Sequence, residues 1–85
     1  MTRDEAVTRL TSGDEVTYDI LDEVFTAFGF QSEWENPDVT VYYHEDFVDC
    51  GSFRARDPFG WGTLTQRQCS LVWHMVMCVQ AFERR

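Results

Sequence analysis

The sequence predicts an α+β domain: a small three-stranded antiparallel sheet packed against helices, in the order α-α-β-β-β-α. Three observations point to it. Apolar residues recur at helical spacing up to Phe28, alternate with polar residues from Phe30 to Arg56, and return to a capped helical segment after Thr65. With 85 residues, 44% of them hydrophobic and 15% aromatic, the chain makes one domain (residues 1–85) around one core, and wholesale disorder is excluded.

The first helix is expected over about 3–12, because Thr2 and Glu5 spell a capping box and Ala6, Val7 and Leu10 follow at helical spacing before Gly13. A second helix is expected over Tyr18 to Phe28, where Ile20, Leu21, Val24, Phe25 and Phe28 form one stripe opposite Asp19, Asp22 and Glu23. Gly29 is the expected left-handed terminus, with Phe30 folding back onto the helix. The period then becomes two: Phe30, Ser32 and Trp34 oppose Gln31, Glu33 and Glu35. Asn36-Pro37-Asp38 reads as a turn into the alternating run Val39 to His44, which makes a hairpin. Past an acidic loop, Gly51 to Arg56 gives a third strand, with Phe53 and Ala55 on one side and Arg54 and Arg56 on the other. Asp57 to Gly62, with its proline and glycines, is expected to be a loop. Thr63 with Gln66, or Thr65 with Gln68, opens a last helix running to about Glu83, apolar nearly all round from Leu71 to Val79. The second and last helices are expected to cover one face of the sheet.

The formal charge is −8, all seven basic residues are arginine, and there is no lysine. Chemistry that needs an amine, such as a Schiff base or a P-loop lysine, is therefore excluded. Residues 1–50 carry two arginines against thirteen acids, and residues 51–85 carry five against two. Such a chain repels phosphate backbones unless Arg54, Arg56 and Arg67 form a local basic patch, so direct nucleic-acid binding is disfavoured and a basic protein partner suits it better. The plain alternative is that the acid only keeps a small domain soluble. The opening Met-Thr-Arg-Asp-Glu places acidic residues where a secretory signal has positive charge and then an apolar block, and no apolar run is long enough for a bilayer, so a cytoplasmic protein without membrane contact is expected.

Cys50, Cys69, Cys78, His44 and His74 contain no metal-binding spacing motif. His74 and Cys78, four apart on a helix, can share a zinc ion with His44 and Cys50, but cysteine in an apolar helix is ordinarily core, and no cofactor is expected. His44, Glu45, Asp46 and Asp49 gather acid and base in one loop, which ordinarily is a solvated turn. The aromatic residues exceed what so small a core buries, and exposed Trp and Tyr near Arg have the composition of binding hot spots. Tyr42, Arg56, Phe59 and Trp61 are accordingly a candidate contact patch, although Trp61 also fits as a plug for the core.

Three segments resemble the HicA family of toxin ribonucleases: Phe28-Gly29-Phe30 ending a helix, the strand Val41-Tyr42-Tyr43-His44, and Gly62-Thr63-Leu64 opening the last helix. The resemblance spans Tyr18 to Phe82 and implies the fold of a double-stranded-RNA-binding domain. That family carries its catalytic histidine in a Gly-Ser-His motif before the tyrosine-bearing strand, where this chain has Pro37, Asp38 and Val39. His44 is the nearest substitute.

Two functional expectations result. The first is a small acidic non-enzymatic module of the sort a phage or mobile element encodes, which inhibits a nucleic-acid-binding protein by occluding its basic groove in the manner of a nucleic-acid mimic. Asp19, Asp22, Glu23, Glu33, Glu35 and Asp38 would supply the attraction, and the aromatic patch the slow release. The second is a HicA-like ribonuclease of a toxin–antitoxin pair that uses His44. A homodimer through the last helix is compatible with either.

Overall fold

Thr2 starts the first helix, α1 (Arg3–Thr11): its hydroxyl accepts the Glu5 N–H, while Asp4 and Glu5 sit in the first turn and Arg9 in the last. These charges complement the helix dipole at both ends. Thr17 caps α2 (Tyr18–Ala27) in the same way through the Ile20 N–H. The computed structural model describes residues 1–56 and 62–85, so all of the loop expected at Asp57 to Gly62 except Gly62, including the candidate contacts Phe59 and Trp61, lies outside the described residues.

The end of α2 fixes how the sheet begins. Gly29 has φ +81°, its N–H reaches the Thr26 carbonyl, and the Phe30 N–H reaches the Phe25 carbonyl. This is a Schellman closure, and the Phe25 and Phe30 rings make its hydrophobic contact at 4.7 Å between centroids. A Cβ on Gly29 would lie 3.2 Å from His44 Nε2. Gly29→Ala therefore combines a left-handed backbone with a crowded neighbour, and about 1–2 kcal/mol of stability is expected to be lost in denaturant titration.

The chain continues through β1 (Gln31–Asn36), the Pro37-Asp38 turn, β2 (Val39–Tyr43), a 3-10 turn at Val48–Cys50, and β3 (Ser52–Arg56). The sheet is antiparallel in the order β1-β2-β3, pairing Ser32 with Tyr42 and Tyr42 with Phe53, then Trp34 with Thr40 and Thr40 with Ala55. The register shifts between Trp34 and Asn36, so the hairpin is bulged next to its turn.

Of the two capping boxes spelled before the last helix, Thr65 with Gln68 forms, and α3 runs from Gln66 to Glu83. Val72, Met75, Val76 and Val79 are its buried residues. Leu71 and His74 are exposed, so α3 is less enclosed than its nearly all-apolar sequence implies. Just before it, the Leu64 N–H donates to Val16 O and Thr63 bridges Thr17, tying the start of α3 to the start of α2.

The core gathers Leu21, Val24, Phe25 and Phe28 of α2 and its end, the buried face of α3, and Tyr42, Phe53 and Ala55 from the sheet. Ala6 of α1 is fully buried among them. Both helices thus lie on one side of the sheet. Across the α1 and α3 ends, Arg3 forms an ion pair with Glu83, sits 5.0 Å from the Phe28 ring centroid, and donates from Nε to the Ala27 carbonyl. That pairing holds the Glu83 carboxyl below its ordinary range. No helix of the described residues is long and apolar enough to cross a membrane.

Candidate protein-binding surface

All thirteen acids of residues 1–50 are exposed. Among the described residues, Glu35 alone of these thirteen is in an ion pair, with Arg54. The six acids singled out from the sequence do not share one face. Asp19, Asp22 and Glu23 are on the outside of α2, above the helix-covered side of the sheet. Glu33 and Glu35 alternate away from Trp34 toward the open side, where cross-strand neighbours are Val41 and Arg54, and Asp38 is in the hairpin turn. Asp22 and Asp19 lie near Tyr42, whereas Glu23 lines a cleft with Asp4, Glu5 and Arg9 of α1, so the acid is spread over several faces rather than gathered on one.

On the side of the sheet that carries Glu33 and Glu35, where Val39 is buried and Arg54 and Arg56 are exposed, the charges are partly tied. Tyr43 donates its hydroxyl to Glu33 at 3.0 Å, Gln31 reaches Glu45 at 3.0 Å, and Arg54 pairs with Glu35. The hydrogen bond to Glu33 pushes the Tyr43 phenol up. Arg56 is exposed on this side, while Arg67 is exposed at the start of α3. With Arg54 bound to an acid, Arg54, Arg56 and Arg67 do not make the continuous basic stripe that nucleic-acid binding would call for.

The contact patch expected at Tyr42 needs correction. Tyr42 is only 7% exposed: its ring stacks on Phe25 at 4.8 Å and its hydroxyl donates to Asp22 at 2.9 Å. It lies on the same side as Phe53, and alternation alone does not say which side the helices cover. Burial first, and then the Asp22 carboxylate, push the phenol well above its usual value. The stabilising effect of the neutral phenol is complete below the unfolded value of about 10 and is lost as pH rises from there toward the folded value. Between pH 9 and 11 the wild type is expected to lose more unfolding free energy than Tyr42→Phe. Chemical denaturation of both proteins at the two pH values measures the difference.

The exposed aromatic is Trp34 instead, at 84%. Level with Ser32, both Tyr42 and Phe53 are buried; level with Trp34, Ala55 is buried and Thr40 half-buried. The helical layer thus covers β2 and β3 and stops short of β1, none of whose six residues is buried. Trp34 points to the core side of the sheet but has no core above it.

His44 is no open catalytic base. It is 7% exposed, its Nδ1 accepts the Asp46 and Phe47 N–H groups at 3.2 and 3.3 Å, and its ring packs on Phe30 and Phe47. Those bonds shape the turn that brings the acidic loop back to the core. Of the other residues considered for zinc, Cys50 is buried beside Cys78, and its thiol is pushed up to about 12, mainly by burial and then by its hydrogen bond with Cys78. A thiol so hard to ionise is a poor nucleophile. His74 stands exposed on α3. Among the described residues, no group of three or more His, Cys, Asp or Glu side chains is placed to hold a metal ion.

A separate cleft of about 600 Å³ lies between the end of α1 and the start of α3, lined by Leu10, Asp14, Glu15, Leu64, Cys69 and Trp73 among others. Burial pushes the Cys69 thiol up. Compared with protein-family models, curated proteins and solved structures, the chain matches none of them.

Proposed function

We propose that this chain is a small acidic interaction module that binds a basic protein and occludes the surface with which that protein holds nucleic acid. The observation that carries the reading is the exposure of thirteen acids in one half of the chain with a single ion pair among them in the described residues. Solubility is served equally well by acids interspersed with bases. An uncompensated field of one sign does more: it steers an oppositely charged partner and raises its association rate. The buried, doubly engaged His44 weighs against RNA cleavage, and the pairing of Arg54 with Glu35 weighs against an RNA-binding stripe.

The test is affinity capture of the tagged chain from lysate of its source cells, with and without nuclease, followed by binding measurements on the purified captured protein. A basic protein retained after nuclease, whose affinity falls steeply as salt rises and which gives up bound nucleic acid to this chain, is the expected result. Affinity that stays flat with salt, or capture of RNA that is then cleaved, would overturn it.

A further inference from the structure

The β1 edge is the part of the sheet that the fold leaves unfinished. Among the described residues its only strand partner is β2, so one row of backbone N–H and C=O groups faces outward. Natural edges of this kind are protected with charge and bulges, and β1 has both: Glu33, Glu35 and the register shift beside Asn36. Protection alone does not account for Trp34, the largest side chain available, held 84% exposed in the middle of that edge. An edge that repels acids yet displays a tryptophan is selective.

Building on the reading above, we propose that β1 receives an extended basic segment of the partner protein, which adds to the sheet as a fourth strand with Trp34 as its apolar anchor. Charge complementarity decides the occupant. A second copy pairing through β1 would set Glu33 and Glu35 against their own kind, with no cation in the strand to offset them. An incoming strand with arginine or lysine at alternate positions meets Glu33 and Glu35 on the open side. Its other side chains lie along Ser32 and Trp34, beneath Asp22, whose carboxylate is fixed over that level of the sheet by Tyr42 at 2.9 Å.

The test uses blocked synthetic peptides of alternating arginine and valine, in a plain form and a form N-methylated at alternate residues, which has the same charge but cannot pair as a strand. The plain peptide is expected to bind and to slow amide exchange in residues 31–36, the N-methylated peptide is expected not to bind, and Trp34→Ala is expected to weaken binding about tenfold. Trp34 lies outside the core, so that variant should keep the wild-type melting temperature. If both peptides bind equally, or protection appears elsewhere, strand addition is wrong while a basic partner still stands. If neither binds at any salt concentration, strand addition at β1 falls, while the basic-partner reading stands or falls with the capture experiment above. Concentration-dependent dimers of the chain alone, with residues 31–36 protected, would assign the edge to a second copy and also overturn the proposal.

Discussion

Phe25→Ala is expected to remove about 3–5 kcal/mol of stability, the largest loss from any single truncation here. Phe25 is fully buried, and its ring centroid is 4.7 Å from Phe30, 4.8 Å from Tyr42 and 5.9 Å from Phe53. One side chain thus joins α2 to its own terminus and to two strands, and shortening it leaves a void that none of these elements can fill alone. A domain of this size has roughly 4–13 kcal/mol in total, so the variant should be partly unfolded near physiological temperature. Thermal and denaturant melts measure it, with Leu71→Ala as the control: Leu71 is half exposed on α3 and its truncation should cost well under 1 kcal/mol. Equal losses in the two variants would mean that the core is not centred on Phe25.

The largest functional effect is expected from neutralising α2. The triple substitution Asp19→Asn, Asp22→Asn, Glu23→Gln removes three exposed charges without changing side-chain shape, and the amide oxygen introduced at position 22 would still accept the Tyr42 hydroxyl. Stability should change by less than about 0.5 kcal/mol. Association with the captured basic protein should slow by about tenfold or more at low salt and converge on the wild-type rate at high salt, with dissociation little altered. Stopped-flow mixing at several ionic strengths separates the two rates. An unchanged association rate would show that the α2 acids face away from the partner.

The order of elements was readable because each boundary has a local cause. Thr2, Thr17 and Thr65 accept the N–H groups that a helix start leaves free, and Gly29 takes the left-handed conformation that ends α2. Strand alternation gave the sides of β3 correctly, since only Phe53 and Ala55 were apolar. In β2 both alternating sets contain large apolar or aromatic residues, so alternation could not choose between Tyr42 and Tyr43 for the core. That Trp34 is the exposed aromatic was not legible for a related reason. Its side of the strand was readable, but the width of the helical layer is a tertiary property that no local pattern records. The acids were readable as exposed, whereas their spread over the open face of the sheet, the hairpin turn and the faces of α2 emerged only from the tertiary packing. For His44 the sequence offered acid–base chemistry, and the turn that uses its Nδ1 as a backbone acceptor has no sequence signature.

The ion pair between Arg3 and Glu83 spans a sequence separation of 80 residues, and α1 packs against both α2 and α3. A nascent chain emerging from the ribosome can therefore dock α1 on α2 early, but it completes the α1 contacts only once α3 has been made. Closing so long a loop is entropically slow. During synthesis the acidic half waits in the open, and its mutual repulsion discourages premature collapse and sticking to other nascent chains before the late arginines arrive. The charge proposed above for recognition in the folded molecule would then also keep the unfinished chain apart from its neighbours.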